Sequence, residues 1–199
     1  MIEEAAAFAA KAHEGVFRKG TKVPYITHPM ETAVIVSGFT DDEEVIAAAL
    51  LHDVMEDAGI TGKELEQRFG ARVSRLVAEE SEDKSKSWLE RKGATIQKLR
   101  SASWESKVLA LGDKLSNMRS TARDYLVIGD AIWQRFNEKD KKKHAWYYWK
   151  MAEALEELKE HFYYSEYVML CRAVFGEDTG IDFWPLSGGF TDGKEGNFR

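Results

Sequence analysis

Apolar residues recur along most of this chain at spacings of three and four, the repeat that gathers side chains on one face of an α-helix. Over residues 106–125, Val108, Leu111, Leu115 and Met118 follow that spacing and predict a long helix. The residues of 2–13 are strong helix formers, stopped by Gly15. His28-Pro29 opens a second helix, with proline suited to a first turn and Glu31 to the positive end of the helix dipole. Thr40-Asp41-Asp42-Glu43 is a start signal for a central helix whose residues 45–51 are apolar throughout. Thr61 and Glu64 form a capping box for a short helix over 61–69 that Gly70 ends. Further helices are expected over 72–80, 130–159 and 163–175. Residues 79–91 are densely and oppositely charged and read as a solvated helix face or connector, docked on the core by Trp88 and Leu89. No internal repeat and no convincing strand emerges. The expected architecture is a single all-α domain, a helical bundle over 1–175, with a loosely structured tail over 176–199.

Composition narrows the function without naming it. A chain of 199 residues, 44% hydrophobic and 31% charged, can bury one sizeable core. Its net charge of −6 opposes a broad nucleic-acid-binding face, which needs a basic stripe. A small anionic ligand is still acceptable, because a few local Arg and Lys residues can outweigh the global sign. Cys171 is the single cysteine, so no internal disulfide is possible. No stretch reads as a signal peptide or a membrane span. The expectation is a soluble, cytoplasmic protein with no membrane or nucleic-acid partner; a homo-oligomer is compatible with the sequence.

The run Ala48 to Asp57 concentrates the chemistry. It starts apolar and ends with His52, Asp53, Glu56 and Asp57. Residues four apart stack on a helix, so His52 is expected over Glu56 and Asp53 over Asp57. A solvated acidic helix end is the plain alternative, but the apolar run before it opposes full exposure, and buried carboxylates need a cation or a partner. Asp113 likewise interrupts an apolar helix face. Either a buried Lys or Arg partner or a ligand role accounts for it. Its neighbour Gly112 is a poor helix residue and signals tight packing or close backbone approach. Asn117 lies one turn beyond Asp113. His28, His52, Asp53 and Asp113 together make a set of two histidines and two carboxylates, suited to Mn²⁺, Fe²⁺ or Zn²⁺ in an open hydrolytic site. His13 is expected to pack near the loop that follows it, and His144 and His161 to lie amid charged or aromatic surface.

Three stretches in order resemble successive motifs of the HD-domain phosphohydrolases, and more narrowly the RelA/SpoT hydrolase domain and the stand-alone small alarmone hydrolases. They are Ala12-His13 through Arg18-Lys19 to Tyr25-Ile26-Thr27-His28-Pro29, then His52-Asp53-Val54-Met55-Glu56-Asp57, then Gly112-Asp113-Lys114-Leu115-Ser116-Asn117-Met118-Arg119. The resemblance spans roughly residues 3–175. It implies His28, His52, Asp53 and Asp113 as ligands of one Mn²⁺, with Zn²⁺ or Fe²⁺ as lesser alternatives. Glu56 and Asp57 would be the acid–base pair beside an attacking water. Arg18 and Lys19 would hold phosphate oxygens, and Asn117 and Arg119 would face the nucleoside. On a C-terminal helix, Lys143 with Tyr147 fits the family's basic-then-aromatic substrate contact, with Lys142 and Trp146 as the alternative pair. The implied reaction removes pyrophosphate from the ribose 3′ position of ppGpp or pppGpp. The same site could instead dephosphorylate NADPH or another nucleotide, and a module that binds alarmone without cutting it is the reading from another class. The chain departs from the usual pattern at Ala58, at Gly112 and in a slightly longer loop before His28.

Overall fold

The computed structural model describes residues 1–180 and Phe183. Among them the secondary structure is helical, with one isolated β-bridge between Phe17 and Pro24. The helices are α1 (Ile2–Ala12), α2 (Thr27–Ser37), α3 (Glu43–Leu51), α4 (Val54–Asp57), α5 (Gly62–Phe69), α6 (Ala71–Glu80), α7 (Trp88–Arg100), α8 (Trp104–Ile128), α9 (Lys141–Ala154) and α10 (Phe162–Phe175). The expected all-α architecture is the one observed. The expected tail lies mostly outside the described residues.

Two helices organise the rest. Every residue from Val45 to Leu51 is buried, so α3 is apolar on all sides and needs neighbours all round. It packs against α1, α2, α6 and α8. Small residues permit this: Ala5 and Ala9 of α1, and Ala47, Ala48 and Ala49 of α3, are almost fully buried. Asp42 caps α3 through the amide of Glu44, at 3.0 Å. The 25-residue α8 carries Val108, Leu111, Leu115 and Met118 into the core and packs on α2, α3, α6 and α10. Where α8 crosses α2, Gly112 leaves no room for a side chain. A Cβ there would sit 2.9 Å from Val36 Cγ2 and 3.2 Å from the Thr32 carbonyl oxygen. That contact is what brings Asp113 alongside the first turn of α2.

Three expectations need correction. The run from Ala48 to Asp57 is not one continuous helix: α3 ends at Leu51, and α4 begins at Val54 after a break at His52 and Asp53. One turn of the expected stacking survives, because the Asp57 amide donates to the Asp53 carbonyl at 2.9 Å. The expected helix over 130–159 is a 3₁₀ turn (Gly129–Arg135), an irregular link, α9, and a second 3₁₀ turn (Glu156–Leu158). Residues 79–91 are no simple connector. They lead into α7, which a capping box of Ser87 and Glu90 starts inside the charged run.

Candidate metal centre

The four expected ligands arrive from three elements and meet. His28 lies in the first turn of α2, His52 and Asp53 at the break between α3 and α4, and Asp113 midway along α8. The His28 and His52 Nε2 atoms are 3.3 Å apart. Asp113 Oδ1 is 3.1 Å from His28 Nε2 and 3.8 Å from His52 Nε2, and Asp53 Oδ2 is 3.0 Å from His52 Nε2 and 3.5 Å from His28 Nε2. Donors held about 2.1 Å from one ion lie roughly 3.0 Å apart at right angles and roughly 3.4 Å apart at the tetrahedral angle. Four of the five spacings are close to those values, and the fifth, His52 Nε2 to Asp113 Oδ1 at 3.8 Å, is wider. His52 Nδ1 lies 2.8 Å from the Ala49 carbonyl oxygen, which can only accept, so Nδ1 carries a proton and Nε2 is the nitrogen left to give its lone pair to an ion. His28, His52 and Asp113 bring three donor atoms close enough together to hold a divalent metal ion, with both rings oriented from behind and the Asp53 carboxylate beside them.

The electrostatics agree. Burial alone would depress His52, but Asp53 and Asp113 outweigh it and raise its pKa to about 10 in the ion-free protein. For His28 burial prevails over Asp113 and the pKa falls. Burial opposes ionisation of Asp113, yet Lys114, then His28 and His52, hold its pKa well below the usual carboxylate range. Asp53 is lowered too, by His52 and His28 against the burial cost. The pocket stabilises positive charge at the point where the four groups converge.

These groups line one end of a cavity of about 600 Å³. Glu56 and Asp57 line it one turn beyond Asp53. Lys84 Nζ donates to the Glu56 carbonyl oxygen at 2.6 Å and stands 3.6 Å from both Glu56 Oε1 and Asp57 Oδ1. Burial raises the Glu56 pKa despite Lys84. Tyr25 donates its hydroxyl to Asp53 Oδ2 at 2.7 Å, and burial with that contact raises the phenol pKa, keeping it a donor. Arg18 and Lys19 sit on a tight loop closed by the Arg18 amide on the Val23 carbonyl oxygen, at 2.9 Å. Gly20 turns that loop at φ +70°, in the left-handed region glycine favours, with the Arg135 side chain against it. Arg18 donates to Asn117 Oδ1 at 2.8 Å, and Asn117 Nδ2 donates to Asp113 Oδ1 at 2.6 Å. Asp113 Oδ2 accepts from Lys114. Asn117 thus couples the loop to a ligand while also lining the cavity.

The remaining expected contacts divide. Tyr147 lines the cavity, buried, with its hydroxyl unpartnered and Lys92 Nζ 4.8 Å from its ring centre. Lys143 is outside the lining and pairs with Glu138 at 2.8 Å. Arg119 is outside it as well. Its guanidinium holds Glu166 at 2.7 and 2.6 Å and Glu31 at 3.2 Å. Sequence reasoning missed the opposite wall: Glu80, Glu82, Lys84, Trp88, Arg91 and Lys92 all line the cavity. Glu82 accepts from Arg91 at 2.8 Å and from Lys92 at 2.7 Å. The available signal was a tryptophan inside a charged run, read only as an anchor. His144 was placed at the surface, but it is buried, stacks on Trp133 at 5.1 Å and lines the same wall. His13 packs on Tyr25, as expected from its place beside the loop.

Comparison with known proteins gives consistent relatives. A family profile described as HD domain matches residues 5–136. The guanosine-3′,5′-bis(diphosphate) 3′-pyrophosphohydrolase MESH1 of Xenopus tropicalis is 41% identical over 126 residues, covering 62% of this chain and 70% of that protein. The human protein of the same name is 44% identical over 124 residues, covering 60% and 69%. Among solved structures, a metazoan orthologue of SpoT, described as hydrolysing ppGpp, superposes with a TM-score of 0.73 at 27% identity, covering 86% of this chain and 93% of that one. A Listeria monocytogenes EGD-e protein does so with a TM-score of 0.70 at 32% identity, covering 75% and 99%.

Proposed function

The chain belongs to the HD-domain family, and from that premise we propose that it is a metal-dependent hydrolase of ppGpp and pppGpp, releasing pyrophosphate from the ribose 3′ position. The observation that carries this reading is the convergence of His28, His52 and Asp113, with Asp53 3.0 Å from His52 Nε2, in a cavity lined by both acidic and basic side chains. The relatives that share the fold and are named for this activity support it. In such a reaction water adds to the phosphorus bonded to O3′, the P–O3′ bond breaks, and O3′ leaves as the ribose hydroxyl. A divalent ion held by the four ligands, which we take to be Mn²⁺, supplies Lewis-acid charge that acidifies water and offsets the substrate's negative charge.

This chain's own residues then have distinct tasks. Glu56 and Asp57 exchange the protons of the reaction. Burial raises the Glu56 pKa, the direction that helps a carboxyl group pass a proton, and Lys84 stands 3.6 Å from both carboxylates. Arg18 and Lys19 offer donors to phosphate oxygens, Arg18 giving up Asn117 in favour of the stronger charged acceptor. Trp88, Tyr147 and Lys92 provide aromatic faces and charge for the nucleoside end. No helix among the described residues is long and apolar enough to cross a membrane. A cytoplasmic location, close to a nucleotide pool, fits the proposed substrate.

The test is pyrophosphate release from ppGpp with and without Mn²⁺, comparing the parent chain with Asp53→Ala. Ion-dependent turnover that the substitution abolishes is expected. Negligible ppGpp turnover beside rapid phosphate release from NADPH would replace the proposed substrate. A ligand bound for hours without cleavage, ion present, would reduce the protein to a binding module.

A further inference from the structure

A chain of polar contacts runs away from the metal centre through His28, on the side opposite the cavity. His28 Nδ1 lies 2.8 Å from Ser116 Oγ. Ser116 Oγ in turn lies 2.7 Å from Glu31 Oε2. Glu31 Oε1 accepts from Arg119 at 3.2 Å, and Arg119 grips both carboxylate oxygens of Glu166 on α10. His28 and Ser116 are buried, while Glu31, Arg119 and Glu166 are about one-third exposed or less so.

The direction of every proton in this chain follows from what each group can do. A carboxylate paired with a guanidinium only accepts, and Arg119 stands 3.2 Å from Glu31 Oε1. Ser116 has a single hydroxyl proton, so it is donated to Glu31. Ser116 Oγ is then left only as an acceptor toward His28, and the proton between them must sit on Nδ1. His28 Nε2 therefore presents a lone pair to the point where Asp53, Asp113 and His52 converge. His52 reaches the same state more simply, through the Ala49 carbonyl oxygen.

We propose that Ser116 and Glu31 are positioning residues that set the tautomer and ring orientation of His28 for ion binding, with Arg119 anchoring Glu31 to α10. The proposal rests on the metal-site reading above and goes beyond it, because neither residue touches ion or substrate. It reassigns Arg119 from the nucleoside to this chain of contacts. Partners behind a ligating histidine usually change metal affinity about 10- to 100-fold when removed.

Glu31→Gln is the informative variant. It keeps shape at a partly exposed site, yet an amide can donate to Ser116. Ser116 can then turn its own proton toward His28 Nδ1, which moves the ring proton to Nε2 and against the ion. Mn²⁺ titration of the purified protein should show about a 10-fold or greater rise in Kd for Glu31→Gln and for Ser116→Ala. The double variant should be little worse than the poorer single one, since both act through one ring. At saturating ion most of the turnover should return, a split that a folding defect would not produce. In the Zn²⁺-loaded parent, nitrogen NMR should find His28 protonated at Nδ1, and in Glu31→Gln that signature should weaken. Unchanged Kd in both folded variants, or a His28 proton on Nε2 in the parent, would overturn the relay and leave the metal site standing. A parent chain that binds no ion would remove the site reading, and the relay with it.

Discussion

The two walls of the cavity are built on opposite principles. On one side, His28, His52 and Asp113 are at most 6% exposed, rise from helices locked in the core, and have each remaining polar atom tied from behind. On the other, Glu80 to Lys92 present long charged side chains, several of which partner each other: Glu82 with Arg91 and Lys92, Lys84 with Glu56 and Asp57. The first wall is preorganised, as metal coordination requires, because an error of a few tenths of an ångström in a ligand is felt directly. Under the proposed function the second would exchange internal partners for substrate, most readily at the exposed Lys84, because exposed ion pairs such as those with Glu56 and Asp57 are worth little individually. Packing fixes the geometry of the first wall; paired charges line the second.

Three substitutions probe that contrast, in descending order of effect. Glu56→Ala stands where the walls meet. It should leave Mn²⁺ affinity near the parent value and cut kcat by about 10²- to 10⁴-fold, as checked by ion titration beside steady-state turnover. Loss of the ion in that variant would place Glu56 among the ligands. Gly112→Ala tests the preorganised wall. The added methyl group meets Val36 and the Thr32 carbonyl oxygen, so overpacking should outweigh the better helix propensity and cost about 1 kcal/mol in urea unfolding, with weaker ion binding because Asp113 moves. Unaltered stability would show that α2 and α8 can part at no cost.

Glu80→Gln tests the adaptable wall, with the smallest effect. Burial raises the Glu80 pKa to about 7, against a usual value of 4.5, although Lys114 pulls it down. A carboxyl group that binds its proton more tightly when folded contributes stability that is full below about 4.5 and is lost as the pH rises through about 7. The amide carries no such penalty. The ion-free variant should therefore melt a few degrees above the parent at pH 8, the difference closing as the pH falls to 4.5. An equal or lower melting temperature at pH 8 would show that the Lys114 pairing dominates instead.

The helical periodicity of α8, the capping box at Thr61, the helix-start signal at 40–43 and the apolar run 45–51 were legible from local rules, although the structure places that start's cap at Asp42, two residues later than the signal's first residue. The motif residues His28, His52, Asp53 and Asp113 were legible as well, because buried polar groups in apolar segments need a reason to be there. Local sequence also pointed to tight packing or a close backbone approach at Gly112. It could not reveal that Thr32 and Val36 are what approach it. Nor could it place residues 80–92 on the cavity, since a charged run looks the same facing solvent or facing a cleft. Arg119 shows the limit most clearly. Beside the Asp113 motif it reads as a substrate contact, yet its guanidinium meets Glu31 and Glu166, which are 88 and 47 positions away along the chain. Periodicity and capping act within a turn or two of helix, so the chain carries that information in plain order. Which charged side chains meet depends on how α2, α8 and α10 pack, and only the folded molecule settles it.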